Sequence, residues 1–195
     1  MPWPGTTELV GRHVALLPLS HEHHDELADA TRDGELWKLW YTVVPSPEEM
    51  RSEIERRLGL FAAGSMVPFT VLVAGRSIGM TTFMNIDATN RRVEIGSTWY
   101  AKRFQRTAIN TEAKRLLLAW AFEMLDCVAV EFRTSSFNHA SRKAIERLGA
   151  RQDGILRSHG RHRDGSVRDT VVYSILATEW PAVRTHLDFQ LHRER

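Results

Sequence analysis

The 195-residue sequence predicts a mixed α/β (α+β) domain: one central, mostly antiparallel sheet with helices on both faces. Three observations carry that expectation. Strand-like runs over 67–74, 77–85 and 91–100 follow one another with only short turns between them. Two strand–helix units come next, and a hairpin follows them. The strict β-α-β alternation of a doubly wound nucleotide fold is absent, so the sheet is expected to be mixed rather than parallel throughout.

Each element has its own signal. RHVALLPL at 12–19 reads as a first strand, with a polar helix near 21–31 and an irregular aromatic stretch, Leu36-Trp37-Lys38-Leu39-Trp40-Tyr41, behind it. A second helix starts at Ser46 as N-cap, with Pro47 at the first helical position and Glu49 completing a capping box. Met50, Ile54, Leu58 and Phe61 give it one apolar stripe, and Gly64 ends it. VPFTVLVA turns at Gly75-Arg76 into SIGMTTFMN, and a loop with Asn85, Asp87 and Asn90 leads to RRVEIGSTWY. A third helix carries Ala113, Leu116, Leu117, Trp120, Ala121, Met124 and Leu125 on one face. CVAVEFRT at 127–134 is a strand, and Asn138 to Leu148 a short helix ending at Gly149. A hairpin pairs residues around 151–159 with TVVYSILA at 170–177 across Asp164-Gly165. The order is thus β-α-α-β-β-β-α-β-α-β-β, with a basic helical tail from Trp180. A single domain over 1–195 is expected, with a short leader (1–8) and a basic tail (182–195).

Composition narrows the classes of function. The hydrophobic fraction is 43%, the charged fraction 26% and the formal net charge only +2, so nothing global argues for a nucleic-acid or membrane partner. The one cysteine, Cys127, excludes an internal disulfide and suits a cytoplasmic setting. MPWPGTTELVG has neither the charged nor the apolar region of a signal peptide. His21, His23 and His24 lie among Glu22, Asp25 and Glu26 without the H-E-x-x-H order, and read as a solvated helix surface rather than a metal site. The basic cluster of Arg157, His159, Arg161, His162, Arg163 and Arg168 likewise reads as solvated.

The most informative stretch is RFQRTAINTEAKRLL at 103–117. A helix start presents unpaired N–H groups and a partial positive charge, and so receives phosphate. Arg103 and Arg106 flank this one. Phosphate-binding turns usually use glycine, and none is present. If Ala108 and Asn110 already lie in the first helical turn, their φ is negative and glycine is not required. The alternative is a basic surface turn capped by Thr107 that holds no ligand.

Taken with its neighbours, Gln105-Arg106-Thr107-Ala108-Ile109-Asn110 resembles the Q/R-x-x-G-x-G/A signature of the GCN5-related N-acetyltransferase (GNAT) superfamily, departing from it at Ala108 and Asn110. The longer QRTAINTEAKRLLLAWAF is similar to the RimJ/RimL-like branch. EIGSTWY (94–100) resembles the strand before that loop, and Asn138-x-x-Ser141 with Leu148-Gly149 the block after the next strand. GILRSHGRHRDGSVRDTVVYSIL followed by EWP resembles the branch's ending. The likeness covers roughly residues 8–182.

That resemblance implies a sheet splayed between its fourth and fifth strands, with acetyl-CoA as cosubstrate in the opening and no metal. The backbone N–H groups from Gln105 through Arg106, Thr107, Ala108 and Ile109 to Asn110 would hold the pyrophosphate, aided by Arg103 and Arg106. The backbone of Thr98, Trp99 and Tyr100 would pair with the pantetheine amides. Asn138 would bind the cofactor arm, and Ser141 would lie near the thioester sulfur. The reaction implied is direct acetyl transfer to a primary amine, with Glu94 accepting the proton of the amine and a backbone N–H near Trp99 or Tyr100 facing the oxyanion. The family's tyrosine, seven residues after the asparagine, is replaced here by Ile145, which leaves Ser141 to assist the departing thiolate. Trp37, Trp40 and Tyr41 would line the acceptor pocket, and a homodimer follows family habit. Plainer readings stand beside these: Glu94 structural, Ser141 serving only the cofactor or backbone, and the aromatic trio simply buried. For the whole chain the alternatives are a non-catalytic CoA-binding protein or a phosphate-binding module of another kind.

Overall fold

The computed structural model describes residues 3–193. Among the described residues, eight strands form one sheet in the order β1-β2-β3-β4-β5-β6-β8-β7. They are β1 (Leu9–Val10), β2 (Ala15–Pro18), β3 (Met66–Val73), β4 (Arg76–Asp87), β5 (Arg92–Tyr100), β6 (Ala129–Ser135), β7 (Arg151–Arg161) and β8 (Val167–Leu176). Every neighbouring pair is antiparallel except β5 and β6, which are parallel. The helices are α1 (His24–Arg32), α2 (Met50–Ala62), α3 (Ala108–Ala119), α4 (His139–Arg147) and α5 (Trp180–His192). The expected element order is observed, with two differences at its start. The predicted strand over 12–19 is shorter, and the two-residue β1 precedes it.

Local chemistry accounts for most boundaries. At the start of α2, Ser46 N–H donates to Glu49 Oε2 (2.9 Å) and Glu49 N–H to Ser46 Oγ (3.3 Å), the reciprocal capping box the sequence predicts. The β3–β4 turn places Ala74 (φ 49°) and Gly75 (φ 78°) at positive φ, as a tight hairpin of the strands' own twist requires. The third helix departs from expectation at its end. After Ala119 the chain widens into one π-helical turn over Trp120–Met124, closed by Leu125 N–H donating to Trp120 O at 3.1 Å. The wider turn rotates Met124 out of the predicted apolar stripe and leaves it 71% exposed.

The residues read as a basic tail are a docked helix. In α5, Trp180, Val183 and Leu187 are buried, Trp180 stacks on Phe122 (centroids 5.5 Å apart), and Asp188 accepts from Arg115 of α3 at 3.0 Å. The histidine cluster is also more structural than a solvated surface. His23 Nδ1 receives the Ser20 N–H (3.2 Å) and meets Thr70 Oγ1 (2.8 Å), and burial lowers its pKa. No group of three or more His, Cys, Asp or Glu placed to hold a metal occurs among the described residues. No helix among them is long and apolar enough to cross a membrane.

Two apolar clusters lie against the sheet. The larger joins Val93, Ile95 and Tyr100 of β5 to Ile109, Ala113, Leu117 and Leu118 of α3. The second joins Trp99 of β5 and Met80 of β4 to Leu27 of α1 and to Met50 and Ile54 of α2. Adjacent residues Trp99 and Tyr100 thus point to opposite faces, as strand geometry demands. Strict alternation from Ile95, however, would put Trp99 on the α3 face. A bulge removes the conflict: Thr82 pairs with Gly96 and Met80 with Trp99, so Thr81 alone opposes Ser97 and Thr98, and Ser97 adopts φ 45°.

Candidate active site

β5 and β6 pair only over Arg92–Glu94 and Ala129–Glu131. Beyond that rung β6 stays paired to β8 through Ser135, while β5 continues to Tyr100 against β4 alone. The sheet therefore opens between the parallel strands β5 and β6, at their C-terminal ends. With β1 set aside, these are the fourth and fifth strands of the sheet. Each strand runs on into a helix start, α3 after β5 and α4 after β6. Two helix N-termini, each with N–H groups that lack an intrahelical partner, therefore lie at the same end of the parted pair.

The α3 start explains how the loop does without glycine. Thr107 is the N-cap, its Oγ1 accepting from Ile109 N–H (3.3 Å) and donating to Phe104 O (2.7 Å). Ala108 is the first helical residue, so Ala108 and Asn110 both lie in the first turn. The positive φ of the loop falls instead on Arg106 (61°). Gln105 folds back, its Nε2 donating to Tyr100 O at 3.1 Å, which ties the loop to the end of β5. Arg103 is exposed; its backbone N–H donates to Asp33 Oδ2 (3.1 Å) and its guanidinium lies 5.2 Å from the Phe104 ring centroid. Removing the cap tests this loop. Thr107→Ala is expected to cost about 1 kcal/mol of stability, read as a lower midpoint in urea unfolding.

The α4 start is capped in the same manner. Asn138 Oδ1 accepts from Ser141 N–H at 3.0 Å. Ser141 is half-buried in the first turn, and Ile145, at the family's tyrosine position, is buried. Cys127 is also buried, and its thiol is pushed up to about 11, so it is no nucleophile at neutral pH.

Glu94 sits on the last paired rung, opposite Glu131 of β6. Its neighbours Val93 and Ile95 face α3, so its own side chain lies on the α1/α2 face. It is 5% exposed. Oε2 accepts from Asn85 Nδ2 (2.6 Å), and Arg133 Nε lies 3.5 Å away. Glu131 is engaged by Arg133 (2.8 Å) and Arg92. Burial pushes the Glu94 carboxyl upward, against the opposing influence of Asn85 and Arg133. A carboxylate with a raised pKa at the vertex of a cleft has the properties of a proton acceptor.

The aromatic residues divide. Trp40 is 46% exposed and gathers three rings around it: Tyr41 (centroids 5.8 Å apart), Phe137 just before the α4 cap (5.3 Å) and His162 (4.8 Å). Trp37 is half-buried and offers its carbonyl to Arg163 (3.4 Å). The basic hairpin cluster is correspondingly not just solvated. Arg163 forks onto Glu49 at 2.6 and 2.7 Å, Arg157 pairs with Asp169, and His162 is buried against Trp40. The Arg163 and His162 contacts fasten the β7–β8 hairpin to the segment before α2. Phe137, His162, Asn85 and Arg133 belong to this neighbourhood, and no local pattern singles them out. They are brought in by long-range pairing, which only the register of β4, β6 and β8 reveals.

A sheet that parts between two parallel strands, with a capped helix start beyond each, is the arrangement that the acetyltransferase resemblance implies. A family model described as the acetyltransferase (GNAT) domain matches residues 13–151. The chain belongs to that family, whose acyltransferases use acetyl-CoA. It is 38% identical over 110 residues to "Putative ribosomal N-acetyltransferase YdaF" of Bacillus subtilis (strain 168). That match covers 56% of this chain, and the chain spans 59% of that relative's length. Among solved structures, a GCN5-related N-acetyltransferase from Brucella melitensis is 30% identical with TM-score 0.86, covering 97% of this chain and 87% of the other. Mycobacterium smegmatis RimJ, solved with CoA-disulfide, shares the fold at TM-score 0.80 and 21% identity, covering 97% of this chain and 96% of that one.

Proposed function

We propose that the protein transfers an acetyl group directly from acetyl-CoA to a primary amine. The observation that carries this reading is the parted β5–β6 pair with Glu94 at its vertex and a capped helix start on either arm. The α3 start, from Gln105 to Asn110, receives the pyrophosphate on its N–H groups, with Arg103 and Arg106 supplying positive charge. The free side of β5 over Thr98–Tyr100 pairs with the pantetheine amides as an added strand would. Asn138 and Ser141 meet the thiol end of the arm. Glu94 takes the proton from the ammonium group of the acceptor, directly or through water, and releases a neutral amine for attack. A backbone N–H near Trp99 or Tyr100 stabilises the oxyanion, and Ser141 hydrogen-bonds the departing thiolate.

The acceptor approaches on the α1/α2 face, past Trp40, Tyr41 and Trp37. Its opening there is framed by Phe137 and His162, and an exposed aromatic rim suits a chain end rather than an enclosed metabolite. The name of the Bacillus subtilis relative supports taking protein N-termini, ribosomal proteins among them, as the acceptors to test first. The test is a panel of peptides, free amino acids and small amines, with release of free thiol followed. Peptides with a free N-terminus are expected to turn over, and N-terminally blocked ones of the same sequence not. Turnover restricted to small amines overturns the acceptor assignment. Ser141→Ala is expected to lower kcat about tenfold with the KM for acetyl-CoA little changed, read from initial rates.

A further inference from the structure

The parted sheet leaves the cofactor-facing part of β5 poorly supported. Past Glu94 it has a neighbour on one side only, and there the pairing is broken by the bulge at Ser97. A non-glycine residue at φ 45° persists only where its surroundings over-determine it. Two buried basic side chains supply that surrounding, one from each face. Arg57 of α2 is 2% exposed; its Nε donates to Glu53 Oε1 (2.6 Å) and its Nη2 to Ser97 O (3.1 Å). Lys114 of α3 is 5% exposed; its Nζ donates to Thr98 Oγ1 (2.7 Å) and Thr81 Oγ1 (3.0 Å). Thr98 Oγ1 lies 2.8 Å from Thr81 Oγ1 and donates to Gly96 O (3.2 Å). All three residues of the bulge are thus held by side chains.

We propose that Arg57 and Lys114 are positioning residues that clamp the β5 bulge from opposite faces of the sheet and so keep the Thr98–Tyr100 backbone set for the acyl donor. The residue types are otherwise hard to account for. A methionine at position 114 fills similar space without desolvating an amine, but reaches neither threonine. A lysine at position 57 has no planar fork with which to hold Glu53 and Ser97 O at once. Lys114 also lies on the helix whose first turn is the proposed phosphate site. The clamp therefore joins the pyrophosphate and pantetheine sites into one preset piece.

This inference rests on the acetyl-CoA reading, and the test separates the two. CoA and 3′-phospho-ADP, the part of CoA without pantetheine, are titrated calorimetrically into wild type, Lys114→Met, Thr81→Val and Arg57→Lys, each first shown to unfold cooperatively. For Lys114→Met and Arg57→Lys the Kd for CoA is expected to rise about tenfold, with that for 3′-phospho-ADP within about twofold of wild type. Thr81→Val, which removes one anchor by a nearly isosteric change, is expected to shift CoA in the same direction. Variants that bind CoA as wild type does, or that lose both ligands equally, overturn the clamp alone. A wild type that binds no CoA overturns the acetyl-CoA reading as well.

Discussion

Glu94→Gln is expected to lower kcat by roughly 10²- to 10⁴-fold, the usual contribution of a positioned general base. The glutamine keeps the shape of the side chain and an acceptor oxygen for Asn85, which now sits 2.6 Å from Oε2. What it removes is the capacity to take a proton. Burial is the main cause of the raised Glu94 pKa, so in wild type the acid limb of the kcat/KM profile lies above the ordinary carboxylate value of 4.5. Activity rises as pH increases through that limb, and the limb is missing from the variant. Stability runs the other way. A carboxyl whose folded pKa is raised contributes stability that is present at low pH and lost as pH rises through the folded value. At neutral pH the charged, desolvated Glu94 is a burden, and Glu94→Gln is expected to melt at the same or higher temperature. Lost turnover with retained or increased Tm is the signature of a catalytic group. A kcat within about threefold of wild type removes Glu94 from the chemistry.

Lys114 gives the second large effect. Burial brings its amine from the ordinary 10.5 down to about 7. At about 1.4 kcal/mol per unit, that gap corresponds to about 5 kcal/mol of penalty for the charged form. The sign follows from proton counting. Between pH 7 and 10.5 the unfolded chain carries the proton and the native state does not, so native stability rises with pH across that window. The stabilisation is fully present above the unfolded value and lost as pH falls through about 7. Lys114→Met has no such dependence. The difference in unfolding free energy, wild type minus variant, is therefore expected to grow by several kcal/mol between pH 7 and 10, measured by urea unfolding at each pH. A difference that stays flat contradicts a neutral buried lysine.

Much of the fold is legible in the sequence because its signals are local. The Ser46–Glu49 capping box, the β3–β4 turn (read at Gly75-Arg76 and found one residue earlier, at Ala74–Gly75) and the apolar stripe of α3 each depend on residues a few positions apart. The same holds for the start of α3: Thr107 as N-cap puts Ala108 and Asn110 in the first turn, where glycine is dispensable. The unread parts are those set by distant partners. The bulge at Ser97 has no glycine to announce it, yet it decides which face Thr98, Trp99 and Tyr100 take. A close approach at Gly79 is equally silent, where a Cβ would lie 2.1 Å from Trp99 O. Lys114 reads as one more polar residue in NTEAKRLL, though it is buried under β4 and β5. Glu112 in the same run looks like a surface carboxylate. It instead accepts the N–H groups of Arg12, His13 and Val14 at 2.7–2.9 Å, which fixes the β1–β2 corner. The basic hairpin cluster looks solvated in the sequence for the same reason, since Arg163 finds Glu49 more than a hundred residues away.

The measurement that bears most directly on acetyl transfer follows free thiol from acetyl-CoA, with and without a peptide amine, together with the intact masses of peptide and protein. Direct transfer predicts one thiol released for each acetyl group gained by the peptide, release that depends on the amine, and no acetyl group left on the protein. CoA binding without thiol release on any amine contradicts it and marks the chain as a non-catalytic member of its family.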